Sequence, residues 1–364
     1  MEQKILTSAH HYQQVAEWAA GKKILLVNRT SLEHHTKLNR LMKSLHIVRF
    51  QDFQPNPLYE SVKAGLALFR RERCNAIISV GGGSAMDVAK CIKLFSGMED
   101  SAGYLEQPIF PNAIPFLSVP TTAGSGSEAT RYAVVYHQGQ KQSVSSEFCM
   151  PDAVLLDPTL LDSLSLYQRK ATMMDAFSHA LESFWSVNST EESGEYSRQA
   201  MELLLKNARG YLENMREGNA GMLLAAHSAG KAINITQTTA GHAMCYKITS
   251  LFGCSHGHAA ILCNRVLFPW MLSHMDRCVD PRGEEYLKSV FQRIAVSMNC
   301  GTPEEACQKM EELFQSLFLD IPSATRAQFD ELKTSVNPVR LKNHPIRLDG
   351  DTIDELYHII LRSL

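Results

Sequence analysis

Asp175 and His179 stand four residues apart in the string MMDAFSHALES, so on a helix they share one face. His242 and His256 are fourteen apart in AGHAMCYKITSLFGCSHGHA, nearly four turns if that stretch were one helix. Gly253 and Ser255 precede His256 and predict a bend that swings it back toward His242. One carboxylate and three imidazoles make a mixed oxygen and nitrogen donor set. Such a set suits a divalent ion, iron or zinc first, with one coordination position left open. An open position points to catalysis rather than scaffolding.

Those residues need elements to position them, and upstream the chain supplies a different kind of binding device. An apolar run over 76–80 predicts a short strand, Gly81, Gly82 and Gly83 follow at once, and 84–95 carries a helical period. Strand, glycine turn and helix present free backbone N–H groups to a phosphate. The dinucleotide fingerprint is incomplete, because Met86 stands where a third glycine belongs. A second polar loop follows the apolar run 116–120, with hydroxyls at Thr121, Thr122, Ser125 and Ser127. Ligands of open α/β sheets bind at the carboxyl ends of the strands, which is where both loops fall.

At this point the chain resembles the iron-containing (group III) alcohol dehydrogenases, from about residue 20 onward. Asn56-Pro57, the segment from Gly81 to Lys90, the segment from Pro120 to Glu128, Asp157-Pro158 and both metal-site pairs carry the likeness. The resemblance implies that Asp175, His179, His242 and His256 ligate a metal, Fe(II) with zinc possible. It places Gly82, Gly83, Ser84 and Asp87 in a pyrophosphate loop, and Thr121, Thr122 and Ser125 in a second cofactor loop. Many members carry a second histidine four residues after the third ligand, where this chain has Tyr246. Tyr246 and His258 are therefore the candidate proton donors, beside a relay through cofactor hydroxyls. A homodimer formed through the N-terminal domain is also implied. Dehydroquinate synthase and zinc-dependent polyol-phosphate dehydrogenases share the architecture, but a carboxylate and two histidines typify their metal sets. His179 favours the alcohol dehydrogenase branch.

The 364 residues are long for one core and natural for two domains. Strands over 23–28, 46–50, 76–80 and 116–120 alternate with helices over 32–45, 59–73 and 84–95. That is the pattern of a doubly wound, Rossmann-like α/β domain, expected over 1–157. Beyond it, long apolar-periodic stretches such as 169–185, 192–216 and 220–235 predict an all-α domain over 158–364 that holds metal and substrate. No Gly- or Pro-rich linker separates the two. Thirty-six basic against 38 acidic residues leave a net charge of −2, with no argument for nucleic acid or a membrane surface. Nine cysteines without a Cys-x-x-Cys pair, and no targeting segment, indicate a reducing cytoplasm.

Two finer expectations concern the ligands. The first strand ends at Asn28, Arg29 and Thr30, where the family often places an acidic residue for the adenosine ribose. Arginine cannot accept those hydrogen bonds but pairs with a 2′-phosphate, so NADP(H) is favoured over NAD(H). The Met244-Cys245-Tyr246-Lys247 string resembles the branch of the family that reduces phosphonoacetaldehyde to 2-hydroxyethylphosphonate. A small anionic aldehyde needs cations, and Arg131, Lys231 and Lys247, with Asn234, are the candidate substrate contacts. Sulfoacetaldehyde, succinic semialdehyde or a neutral short-chain aldehyde are the alternatives.

Overall fold

Runs with no polar side, such as ILLV, AIISVG and FLSVP, fit strands covered on both faces. The computed structural model describes residues 3–7, 10–99 and 103–364. It separates into two compact units, Met1–Ser163 and Leu164–Leu364.

In the first unit the chain runs β1 (Lys4–Leu6), α1 (His11–Ala19), β2 (Ile24–Val27), α2 (Thr36–Ser44), β3 (Ile47–Phe50) and α3 (Tyr59–Arg71). It continues through β4 (Ala76–Gly81), α4 (Gly83–Phe95), β5 (Phe116–Pro120), the hairpin β6 (Tyr132–His137) and β7 (Gln140–Ser145), and β8 (Ala153–Leu155). Six strands form one parallel sheet in the order β1-β8-β5-β4-β2-β3. Alternate side chains split the core in two. Leu25, Val27 and Ile77 pack with Val62 and Leu66 of α3 and with Val88 and Ile92 of α4. Ile24, Leu26 and Ile78 pack on the other face with Val15 of α1 and with Leu38 and Met42 of α2. Leu160 joins that second core, so the short turn of helix Pro158–Leu161 still belongs to the first unit.

From β2 the chain leaves to β3 on one side and returns to β4 on the other. The carboxyl ends of β2 and β4 therefore flank the point where strand order reverses, the place for a ligand in such sheets. β1, β8 and the β6–β7 hairpin were not legible from the sequence. The first two are three residues each, too short to show a period. Met86, in the place of the third glycine, is fully buried.

The second unit holds α5 (Leu166–Trp185), α6 (Glu191–Leu212), α7 (Arg216–Thr236), α8 (Ala240–Phe252), α9 (His256–Ser273), α10 (Glu284–Ser297) and α11 (Pro303–Ser316). A two-residue strand β9 (Ser323–Ala324), α12 (Arg326–Ser335), α13 (Pro338–Leu341), α14 (Gly350–Ile360) and β10 (Arg362–Ser363) complete it. α5 starts at a reciprocal cap in which Ser165 and Gln168 satisfy each other's backbone, and it is buried over most of its length. The stretch 192–216, expected as one helix, breaks at Asn214, whose φ is 58°. The buried Arg169 of α5 closes that break by donating to Tyr211 O at 2.9 Å, Asn219 Oδ1 at 2.7 Å and Asn214 Oδ1 at 2.5 Å.

One buried charge organises the first unit. Lys90 on α4 is fully buried and donates to Ser127 O (2.6 Å), Ser127 Oγ (3.0 Å), Thr130 Oγ1 (3.0 Å) and Tyr132 O (2.7 Å). It ties α4 to the segment that carries the second polar loop. Burial pushes the neighbouring Asp87 up to about 6, with Lys90 opposing the rise. Removing the ammonium in K90M leaves the carboxylate without that opposition, and the destabilisation is expected to be about 3 kcal/mol or more. A carboxyl whose folded pKa is raised binds more protons folded than unfolded, so stability falls as pH rises from about 4 through the folded value. The K90M deficit, measured by urea unfolding, is therefore expected to be larger at pH 8 than at pH 4. An equal deficit at both would refute the pairing.

Candidate metal centre and cofactor loops

Asp175, His179 and Glu182 lie along one face of α5 at intervals of four and three residues. α8 ends at Phe252 with Gly253 in the left-handed conformation (φ 67°), and α9 starts at His256. The bend expected from Gly253 is thus present, and it brings the His242 and His256 rings to 5.2 Å between centres. Ligand atoms of Asp175, His242 and His256 all lie within 4.8 Å of one another. Asp175 Oδ1 and His242 Nε2 are 3.7 Å apart, too far for a hydrogen bond. Two ligands about 2.1 Å from a tetrahedral ion stand about 3.4 Å apart, so this spacing suits a shared ion. Both atoms are buried, and neither has a hydrogen-bond partner. The donor set fits a divalent metal.

His179 adjoins this group. Its Nε2 is 4.0 Å from Asp175 Oδ1, and its ring stacks on His242 at 4.5 Å and 12°. Burial alone would raise the Asp175 carboxyl, but His179, His242 and His256 outweigh it and hold the group well below the usual range.

Glu182 was not singled out in the sequence. It is fully buried, and one oxygen meets His242 Nδ1 at 2.5 Å and accepts from Asn264 Nδ2 at 2.9 Å. Its other oxygen accepts from Thr239 N at 2.6 Å and Thr239 Oγ1 at 2.9 Å. Burial raises Glu182 and lowers His242; their mutual attraction reverses both directions. The bond places the His242 proton on Nδ1 and turns Nε2 toward Asp175. Its only signal in the sequence was its place seven residues after Asp175.

Two glycines let the helices approach this cluster. A Cβ on Gly257 would stand 2.1 Å from Ala171 O and 2.5 Å from Asp175 Cβ, and one on Gly241 would stand 2.0 Å from Asn264 Oδ1 and 2.6 Å from Glu182 Oε1. Each adjoins a metal-site histidine.

The two candidate proton donors differ. His258 meets Asp320 O through Nε2 at 2.8 Å and Tyr167 Oη through Nδ1 at 3.2 Å, and burial lowers its pKa. Both nitrogens therefore serve to fix the start of α9. Tyr246 stacks on His256 at 5.2 Å and 21°, and its hydroxyl accepts from Arg340 Nη1 at 3.0 Å. The expected substrate cations are spent elsewhere. Lys247 pairs with Glu331, Lys231 of α7 lies over the Tyr196 ring of α6 at 5.4 Å, and Arg131, in the first unit, meets Glu147 at 3.4 Å. Asn234 lies near the end of α7.

In the first unit the expected cofactor residues gather where strand order reverses. Gly82 caps α4 with no side chain occupying its amino end, and Ser84 lies in its first turn. Ser31 Oγ donates to Val80 O at 3.1 Å and holds the turn after β2 against β4. Thr121 follows β5, which pairs with β4, and Thr122 and Ser125 lie beside Gly82 and Gly83. Asp87 faces inward to Ser127 Oγ at 3.4 Å.

The model of the iron-containing alcohol dehydrogenases matches residues 3–158, and that of the C-terminal part of the same family matches 170–330. The chain belongs to the iron-containing alcohol dehydrogenase family. It is 30% identical to a phosphonoacetaldehyde reductase of Streptomyces viridochromogenes over 312 residues, 82% of this chain and 79% of that protein. It is 31% identical to an NAD-dependent methanol dehydrogenase of Bacillus methanolicus over 265 residues, 68% of this chain and 67% of that one. A sulfoacetaldehyde reductase of Bifidobacterium kashiwanohense, solved in complex with NAD+, shares the fold with a TM-score of 0.86. It is 24% identical, with 98% of this chain and 96% of that one covered.

This iron-containing alcohol dehydrogenase is thus a metal-dependent, NAD(P)-linked oxidoreductase of small aldehydes and alcohols. The NADP(H) preference expected from Arg29 is overturned, since the sulfoacetaldehyde reductase holds NAD+. Asn28 is buried, and the Arg29 carbonyl accepts from Asn28 Nδ2 (2.9 Å), Arg49 Nη2 (2.8 Å) and Gln51 Nε2 (3.0 Å), so this turn is fixed through its backbone. Among the described residues no helix is long and apolar enough to cross a membrane.

The Glu182–His242 bond generates a prediction. E182Q keeps the shape but loses the carboxylate, and metal affinity is expected to fall about 10–100-fold with folding retained. Competition with a chelator reads the affinity, and circular dichroism the fold. Unchanged affinity in a folded E182Q protein would overturn the role.

Proposed function

We propose that this dehydrogenase reduces a small anionic aldehyde to its primary alcohol, phosphonoacetaldehyde to 2-hydroxyethylphosphonate first. Asp175, His242 and His256 hold the metal, Fe(II) before zinc, and His179 completes the set from the same face of α5. The mutual approach of the three ligand atoms within 4.8 Å carries the reaction type. The 30% identity to a phosphonoacetaldehyde reductase over 82% of the chain supports the substrate. NAD(H) is the redox partner in this reading, supported by the NAD-dependent relative and the NAD+-bound neighbour.

When bound, the ion supplies Lewis acidity at the carbonyl oxygen and the nicotinamide supplies hydride. The chain's own part is orientation and charge. Gly82, Gly83 and Ser84 offer backbone N–H groups at the amino end of α4 to a pyrophosphate. Thr121, Thr122 and Ser125 offer hydroxyls beside them, and Asn28, Arg29 and Thr30 form the turn that faces the adenosine. Of the two candidate proton donors this reading places Tyr246, stacked on His256, before His258, both of whose nitrogens are engaged. The second reading, a neutral short-chain aldehyde, is favoured by the likeness to the methanol dehydrogenase.

Purified protein with NADH should turn over phosphonoacetaldehyde with a kcat/KM at least about tenfold above butanal, a difference of about 1.4 kcal/mol. Sulfoacetaldehyde and succinic semialdehyde complete the panel, and equal use of neutral and anionic aldehydes would refute the reading. H256A should lose most metal by elemental analysis and nearly all turnover while staying folded; full activity in a metal-free preparation would exclude the mechanism. The reading keeps the cytoplasmic homodimer expected from the sequence, and light scattering that returns a monomer would remove that part.

A further inference from the structure

An anionic substrate end needs a cation near the metal residues, and Lys247, Lys231 and Arg131 are engaged with Glu331, Tyr196 and Glu147. A different cation stands there. Arg340 lies on α13, whose start is fixed by Asn337 Oδ1 accepting from Val339 N at 2.9 Å. Its guanidinium carbon is 4.9 Å from the centre of the Tyr246 ring, and its Nη1 donates to the Tyr246 hydroxyl at 3.0 Å. Tyr246 in turn stacks on His256, with ring centres 5.2 Å apart. One aromatic ring therefore connects the guanidinium to a metal-site imidazole, and the guanidinium lies no farther from the His256 ring than those two spacings together.

The length of the substrate falls within that upper limit. An acetaldehyde with an anionic group on its second carbon spans about 4 Å from carbonyl oxygen to anionic oxygen. A metal–oxygen distance of about 2 Å and a charge-assisted hydrogen bond of about 2.8 Å bring the reach to about 9 Å. A planar guanidinium also suits the task. It offers two parallel donors to a phosphonate, sulfonate or carboxylate, and stacking on a ring pre-orders it.

We propose that Arg340, seated on Tyr246, recognises the anionic end of the aldehyde and sets the preference for anionic over neutral substrates. This rests on the reading that the site reduces an anionic aldehyde. The assignment moves substrate recognition from the lysines of α7 and α8 to the α13 segment.

The test compares the wild type with R340L and R340K, each checked for metal content. Substrates are phosphonoacetaldehyde, sulfoacetaldehyde and butanal, and calorimetry measures binding of phosphonoacetate, an unreactive probe of the anionic end. R340L is expected to lower kcat/KM for phosphonoacetaldehyde about 100-fold, mainly through KM, to lower it for butanal at least about tenfold less, through kcat by way of Tyr246, and to abolish phosphonoacetate binding. R340K should recover part of the loss, since it restores the charge without the fork. Equal losses with butanal and phosphonoacetaldehyde would show that Arg340 only braces Tyr246 and His256, and would overturn the proposal. So would an R340L protein that keeps the wild-type preference; that outcome removes the arginine alone. A wild type without any preference for anions removes the underlying reading and the assignment together. If R340L loses metal, R340Q provides the neutral variant and is judged by the same outcomes.

Discussion

The bond between Glu182 and His242 is the constraint around which the helical unit is arranged. A carboxylate with no exposure is costly unless its oxygens are all engaged. Here Thr239, just before α8, His242 of α8 and Asn264 of α9 engage them, while Glu182 itself comes from α5. Three helices are thereby brought to one point inside an otherwise apolar bundle. The same convergence turns His242 Nε2 toward Asp175 and leaves room for an ion between them. Gly241 and Gly257 follow from it, because larger residues would collide with Glu182, Asn264 or Asp175. Metal affinity and helix packing are therefore one arrangement.

In the α/β unit the equivalent constraint is topological. Leaving β2 in one direction and returning to β4 in the other leaves the carboxyl ends of those strands without a covering connection. The chain fills that place with small residues and backbone donors. Lys90 supplies the rigidity behind them, since its buried ammonium binds three residues of the segment 127–132 from beneath. Ser127 meets both Lys90 and Asp87, so the loop that begins at Thr121 is tied at its far end to the helix that begins at Gly83. Asp87 accordingly helps hold the loop from inside.

Much of this was legible because it is written in local patterns. Short apolar-rich runs located β2, β3, β4 and β5, and the i, i+4 spacing of Asp175 and His179 located one side of the metal cluster. Gly253 announced the turn that returns His256 to His242, since a left-handed residue ends α8 there. Illegible were features defined by a partner far along the chain. Glu182 looks like any helical glutamate until Thr239 and Asn264 fold onto it. Lys247 looks like a substrate cation until Glu331 of α12 neutralises it. Arg29 looked like a phosphate ligand, yet what fixes its turn is its carbonyl, held by side chains of β3 and the residue after it. Charge type is local in sequence, but charge compensation is not.

Charge compensation also bears on where substrate discrimination resides. Asp175 and Glu182 together carry two negative charges in the buried cluster, and neutral imidazoles add none. A divalent ion therefore brings the cluster to about neutrality, leaving little net attraction for an anion at longer range. An aldehyde bearing a phosphonate or sulfonate would gain from the ion only at its carbonyl oxygen, as would a neutral aldehyde. Under the proposed function, discrimination would then come from a group placed one substrate length away. The α13 segment starts 82 residues beyond His256 in sequence and meets the metal residues through Tyr246. With Arg340 as the proposed anion contact, the residues that hold the metal would differ from the one that selects what is reduced.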